Sequence, residues 1–171
     1  LDLVNLLREA GAVTRLHTVP HLQHYDVAQH CWRMAVLLYA LHPGPSRRLL
    51  WAVLLHDVGE RFTGDIPTTI KWASPDIDKA FDKMEAEISK RLGLDVRFQA
   101  DERNWLKGLD LFELYLYCQD EIAMGNQHIV QVRDECWSIL TRHQEVPREI
   151  REWMQRNKEW KRSNNRWILE E

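Results

Sequence analysis

Long hydrophobic runs are missing from this chain of 171 residues: its longest uninterrupted apolar stretch, Met34 to Leu41, is far short of the roughly 20 residues that a membrane-spanning helix requires. No membrane association is expected. The stretch from Leu1 to Val13 carries Asp2, Arg8 and Glu9 in a helical pattern and lacks the basic-then-apolar layout of a secretory signal. A charge excess of one sign is also absent. The formal net charge of −3 and a sequence pI near 6.3 provide no basic field, which argues against a stable nucleic-acid complex and for a small ligand. Cysteine is scarce and odd in number: Cys31, Cys118 and Cys136 each lie among apolar residues, and no pair has zinc-knuckle spacing. Reduced, buried thiols in a cytoplasmic protein are the expected state. Runs of β-branched residues bounded by turns, internal repeats and low-complexity linkers are lacking too, which excludes sheet-based and solenoid architectures.

Apolar residues at helical spacing fill the chain, and an apolar content of 44% suits one compact domain. The expected fold is all-α: a single bundle of about six helices over 1–171, with the motif-bearing core at about 15–140 and a helical tail from about 147. Asp26 caps a helix running to about His42, with Gln29 three residues on as a box partner. Pro43-Gly44-Pro45 ends it, and Ser46 starts a second helix that continues to about Glu60. Thr63-Gly64-Asp65-Ile66-Pro67 reads as a loop. Ser74-Pro75 opens a third helix, amphipathic through Ile77, Phe81, Met84 and Ile88. A fourth spans about Asp101 to Met124 and a fifth about Gln127 to Arg142. In the tail, Trp153, Trp160 and Trp167 lie seven apart, while Trp51, Trp105 and Trp137 fit core stripes.

Chemistry points to His30, the His56-Asp57 doublet and Asp110, ionisable groups set in otherwise apolar helices. Such groups are costly to bury unless paired or bound to a metal. Taken singly, a helical histidine is more often structural than a ligand. Jointly, two imidazoles and two carboxylates form a mixed N/O donor set for a borderline divalent ion such as Mn2+, Co2+, Zn2+ or Fe2+. Helical spacing would place Glu60 over the doublet, where it could orient a water. His17, His21 and His24 crowd one loop without being needed as metal ligands, and His21 and His24 are expected at the surface.

The set H…HD…D resembles the HD superfamily of metal-dependent phosphohydrolases. His56-Asp57-Val58-Gly59-Glu60, followed by Thr63-Gly64-Asp65-Ile66-Pro67 and Lys71, is similar to the 5′-deoxynucleotidase branch. Val27-Ala28-Gln29-His30 resembles its V-[SA]-E-H element with Gln29 in place of Glu, and Lys107-Gly108-Leu109-Asp110 its K-x-x-D element. Tyr115 to Asn126 resembles the helix and Gly-Asn turn that follow. The resemblance implies metal binding by His30, His56, Asp57 and Asp110, catalytic roles for Glu60 and Asp65, and phosphate contacts from Arg15, Lys71 and Lys107.

Arg15-Leu16-His17 departs from the Arg-Trp-His of related enzymes. Leu16 in the substrate pocket offers apolar contact where Trp would stack, so base preference is not carried over. The implied reaction is hydrolysis of a deoxynucleoside monophosphate to nucleoside and phosphate. Its alternatives are release of tripolyphosphate from a deoxynucleoside triphosphate, as in related phage enzymes and with an additional Mg2+, and a non-catalytic nucleotide-binding module. Relatives imply a homo-oligomer, located in the cytoplasm, or in the host's cytoplasm for a phage protein.

Overall fold

The computed structural model describes residues 2–67, 70, 73–95 and 98–157. Lys71, Trp160 and Trp167 lie outside them. The described residues form α-helices and one short 3-10 turn, in the order α1 (Leu3–Ala10), α2 (Val27–Leu41), α3 (Arg47–Leu55), the turn (His56–Gly59), α4 (Glu60–Thr63), α5 (Pro75–Arg91), α6 (Ala100–Ala123), α7 (Val130–Arg142) and α8 (Arg148–Arg156).

The long helix α6 is the axis of the bundle and packs against α2, α3, α7 and α8. Its buried residues, among them Trp105, Leu109, Phe112, Leu114, Tyr117 and Cys118, point in several directions, as expected of a helix surrounded by others. Met34 and Leu38 from α2, Leu49 and Val53 from α3, Cys136 and Leu140 from α7 and Ile150 and Met154 from α8 complete the core. Each large apolar side chain there contributes about 1.5–3 kcal/mol by leaving water. Gly108 permits α8 to approach α6 closely, since a Cβ at this position would stand 2.7 Å from Pro147 Cδ at the start of α8.

Sequence signals for helix starts are realised at Asp26, whose carboxylate accepts from Gln29 N–H at 2.8 Å, and at Ser46, whose hydroxyl accepts from Leu49 N–H at 3.0 Å. Ser74 stands at the start of α5 without a side-chain capping bond. Gln29 does not return the box interaction; its Oε1 is buried without a partner. Four expectations are corrected. The helix expected to run from Ser46 to Glu60 ends at Leu55, which leaves helical geometry at φ −124° and ψ 0°, so the His56-Asp57 doublet lies on the 3-10 turn. Trp51 is 48% exposed rather than in the core, because α5 stands off α3 across a cavity that Trp51 lines with Phe98 and Leu106. The stripe on α5 buries no residue fully, and Ile77 and Met84 remain exposed. The fifth helix starts three residues late, at Val130.

The loop from Thr14 to Asp26 is closed at its base by an antiparallel bridge between those two residues, with Arg15 N–H donating to Tyr25 O at 3.0 Å. Its far end is clamped to the C-terminal end of α6. Glu121, fully buried, accepts from Leu22 N–H (2.7 Å), Gln23 N–H (2.8 Å) and Asn126 Nδ2 (2.7 Å), while the same Asn126 amide donates to Pro20 O at 2.9 Å. Gly125, at φ +99°, makes the turn that brings Asn126 back. Burial alone would raise the Glu121 pKa, but these donors, Asn126 foremost, hold it below the usual carboxylate range.

Asn126→Ala removes a donor from a buried carboxylate and from the Pro20 carbonyl. The expected cost is about 1–3 kcal/mol in urea unfolding near neutral pH. A carboxylate with a lowered folded-state pKa stabilises above its unfolded-state value and loses that contribution as pH falls through the folded-state value. The difference between wild type and variant should therefore shrink on acidification below about pH 4.3, the ordinary Glu pKa. A difference that is constant with pH would show that Glu121 does not sense Asn126.

Candidate metal centre and cleft

Four elements supply the site. The loop after α1 brings Arg15, α2 brings His30, the 3-10 turn brings His56 and Asp57, and α6 brings Asp110, with Glu60 opening α4 beside them. His30 is completely buried, and its Nε2 lies 3.0 Å from Asp110 Oδ1 and 3.8 Å from Asp57 Oδ2. His56 Nε2 lies 3.1 Å from Asp57 Oδ1. Ligand atoms of His30, His56 and Asp110 all fall within 4.8 Å of one another, and so do those of Cys31, His56 and Asp57. The structure thus brings together all four residues singled out as a donor set, with Asp57 on the Cys31 side.

Both imidazoles are anchored through their other nitrogen. His56 Nδ1 lies 3.1 Å from Val53 O, and His30 Nδ1 lies 2.6 Å from Glu113 Oε2. With the hydrogen on Nδ1 in each ring, both Nε2 atoms present lone pairs toward carboxylates. Buried, facing acceptors and without a hydrogen-bond partner, they fit a divalent cation. The Cys31 thiol, 4.0 Å from His56 Nδ1, is pushed up by burial and then by Asp57, so it stays protonated.

Arg15 is the central cation. Its Nη1 pairs with Asp57 Oδ2 and lies 3.6 Å from Glu60 Oε1, and its Nη2 lies 3.5 Å from Asp110 Oδ1. Burial works against its charge, but Asp57 and its other neighbours hold its pKa above even the ordinary arginine value. Asp57 is held low despite burial by His56, Arg15 and His30, and Asp110 is likewise held low by the His30 ring facing it at 3.0 Å and by Arg15. Glu60 behaves oppositely: burial and then Asp57 push it up to about 9, and its Oε2 has no partner.

Asp65 Oδ2 accepts from Leu16 N–H at 2.9 Å and lies 3.7 Å from His17 Nδ1. That bond fixes the backbone where Leu16 adopts φ +53°, a left-handed conformation costly for a leucine. Leu16 is 7% exposed and belongs to the core cluster; it is not among the residues lining the cleft. Of the phosphate-contact candidates, Arg15 and Lys107 both line that cleft, and Lys71 lies outside the described residues.

The cleft measures about 380 Å³ and runs from Arg15, Asp57, Glu60 and Asp65 past Lys107 and Asp110 to Ile139, His143 and Val146. Asp78 and Asp82 from α5, Asn104 and Glu145 also face it. Sequence reading missed these four, His143 and Glu113. Glu113 had a signal, since it follows Asp110 by three residues and so shares its helix face. Glu145 had none, as its place depends on the path of the connection between α7 and α8. His17 and His24 are exposed and His21 half-buried, in keeping with surface positions.

Two 5′-deoxynucleotidases are similar to this chain in sequence. That of Pasteurella multocida is 29% identical over 140 residues, covering 67% of this chain and 71% of the relative, and that of Vibrio cholerae is 29% identical over 134 residues, covering 63% and 68%. In fold, the chain is similar to an HD phosphohydrolase (DatZ) of cyanophage S-2L, solved with dA and one catalytic Zn2+ ion. The TM-score is 0.69 at 21% identity, over 91% of this chain and 93% of that one. A conserved hypothetical protein from Pyrococcus furiosus matches with a TM-score of 0.60 at 18% identity, over 93% and 99%. With the family profile matching residues 2–159, the chain belongs to the YfbR-like family of HD-domain 5′-deoxynucleotidases.

Proposed function

We propose that this protein is a divalent-metal-dependent 5′-deoxynucleotidase, hydrolysing a deoxynucleoside monophosphate to the deoxynucleoside and phosphate. The observation that carries the reading is the pair of buried, unpartnered Nε2 atoms of His30 and His56 converging with Asp57 and Asp110 at the end of an open cleft. His30, His56, Asp57 and Asp110 would hold the ion, and this mixed set of two imidazoles and two carboxylates suits Mn2+, Co2+, Zn2+ or Fe2+. When bound, it supplies Lewis-acid activation of water and of a phosphate oxygen.

The chain's own groups do the rest. Glu60, buried at the cleft floor with Oε2 free, orients the attacking water and would take its proton once the charge of the bound ion offsets the burial and the Asp57 repulsion that push its pKa up. Asp65 assists proton transfer from the cleft wall while its Oδ2 holds the segment that carries Arg15. Arg15 and Lys107, and Lys71 as a third cation, neutralise charge developing on the phosphate. Arg15 suits a bidentate contact, and Lys107 acts as a point charge. Triphosphate cleavage would draw on the same groups, with an additional Mg2+ on the longer phosphate chain. Among the described residues no helix is long and apolar enough to cross a membrane, and we place the enzyme in the cytoplasm, as a homo-oligomer acting on free nucleotides.

Metal-stripped protein, supplied in turn with Mn2+, Co2+, Zn2+ or Mg2+ and offered mono- and triphosphates of ribo- and deoxyribonucleosides, should release orthophosphate and nucleoside from deoxynucleoside monophosphates. Tripolyphosphate as the sole product would replace this reading with the triphosphohydrolase. No turnover despite bound metal would favour a binding module.

Two substitutions separate holding the metal from using it. Asp57→Ala should lose both bound metal and activity, whereas Glu60→Gln should keep the metal and lower kcat by about 10²-fold or more, the range of a lost general base. Full metal content and activity in Asp57→Ala would refute the donor set. Unchanged kcat in Glu60→Gln would take Glu60 out of the proton transfer.

A further inference from the structure

Glu113 lies one turn beyond Asp110 on α6, is 1% exposed, and stands behind His30 as seen from the cleft. Its Oε2 lies 2.6 Å from His30 Nδ1 and accepts the Tyr25 hydroxyl, while its Oε1 lies 3.6 Å from Arg33 Nη1. The Tyr25 hydroxyl also lies 3.2 Å from His30 Nδ1, closing a triangle of three buried groups. Tyr25 stacks on Tyr117 at 3.9 Å, and the Arg33 guanidinium lies over both rings, 6.0 and 5.8 Å from their centres. A carboxylate accepts and cannot donate, so the nitrogen facing Glu113 must carry the ring hydrogen. That leaves Nε2 as the lone-pair nitrogen, aimed at Asp110 and Asp57.

The bland account of Glu113 is a buried ion pair with Arg33 that does no more than hold α2 on α6. That account leaves unexplained why the shorter contact is to His30 rather than to Arg33, and why a hydroxyl is spent on the same oxygen. A carboxylate behind a ligating imidazole fixes the tautomer, restrains the ring and raises its basicity toward a cation.

We propose that Glu113, held by Tyr25 and Arg33, is a positioning residue that locks His30 with its hydrogen on Nδ1 and thereby sets the affinity of the centre for its divalent ion. The inference rests on the metal-site reading above and extends it to residues that touch neither metal nor substrate. It separates His30 from His56, whose Nδ1 lies 3.1 Å from the backbone carbonyl of Val53 and 4.0 Å from the Cys31 thiol rather than against a carboxylate. A neutral carbonyl supports a ligand less than a carboxylate does, which makes His30 the stronger of the two imidazole donors.

The test uses the full chain, stripped with a chelator and titrated with Zn2+ or Mn2+ against a chromophoric competitor, with helical content and thermal unfolding followed alongside. Glu113→Ala should bind the ion about 10–100-fold more weakly than wild type. Glu113→Gln, which keeps an acceptor for Nδ1–H and nearly the same volume, should recover part of that loss. Excess metal should restore kcat in both variants. Glu102→Gln serves as the structural control: it removes another buried α6 carboxylate, paired with Arg48 at 2.6 Å and remote from the centre, and should leave metal affinity unchanged. A folded Glu113→Ala with wild-type affinity overturns the proposal. If Glu113→Ala does not fold, Glu113→Gln decides, a several-fold loss of affinity supporting the proposal and none overturning it. Wild type that binds no ion removes the metal-site reading and the proposal together, whereas wild-type binding matched by the variants removes the proposal alone.

Discussion

A buried guanidinium faces carboxylates from three different elements, and the rest of the site follows from that arrangement. Arg15 pairs with Asp57 on the 3-10 turn and lies beside Glu60 on α4 and Asp110 on α6. Removing a charge from water costs several kcal/mol unless partners surround it, and removing one partner strands the others. Arg15 lies on a loop, so the fold must hold that loop still. It does so at three places: the Thr14–Asp26 bridge at the base, the Asp65 carboxylate on Leu16 N–H, and the Glu121–Asn126 clamp at the far end. Each acts through hydrogen bonds to the loop backbone, adding to the packing of Leu16 and Tyr25 in the core.

This dependence explains which parts of the molecule were legible in the sequence. Helices α2, α6 and α7 were readable because apolar periodicity and local caps such as Asp26 act over a few residues. His30, His56-Asp57 and Asp110 were readable because ionisable residues in apolar helices require a reason. The break at Leu55 was not. Apolar periodicity carries smoothly from Leu49 through Leu55 into Val58, and nothing in those residues distinguishes a continuous helix from one that tightens into a 3-10 turn. Trp51 misled for a related reason: a large aromatic on a helix stripe signals burial only if another element covers it, and α5 leaves a cavity there. Glu121 and Asn126 look like ordinary polar residues of a solvated helix and turn, and only the helical spacing from Asp110 marks out Glu113. Their partners lie 83 to 106 positions away in the chain, which no local pattern specifies.

Asp65 shows how a motif residue can have two duties. Its place after Thr63-Gly64 suggests chemistry, and its position on the cleft wall agrees with that. Its carboxylate nevertheless stabilises a left-handed leucine next to Arg15, so a substitution at Asp65 perturbs the position of the guanidinium even if Asp65 moves no proton. The same residue therefore couples the loop after α4 to the loop after α1.

Charge balance in the cleft gives the metal a second duty beyond activation. Besides Glu60, whose pKa is pushed up to about 9, six carboxylates line it, those of Asp57, Asp65, Asp78, Asp82, Asp110 and Glu145, against Arg15 and Lys107 among the described residues. Arg15 is already committed to its three acidic neighbours. A phosphate dianion approaching such walls meets net repulsion, and at the few-ångström distances of a contact this is not screened away by salt. A divalent ion held, as proposed, by His30, His56, Asp57 and Asp110 would reverse the local field there, while Asp78, Asp82 and Glu145 would continue to repel anions elsewhere along the cleft. On the proposed reading, affinity for substrate phosphate and affinity for metal are therefore linked: whatever strengthens the hold of His30 on the ion also strengthens the attraction that draws the nucleotide to the centre.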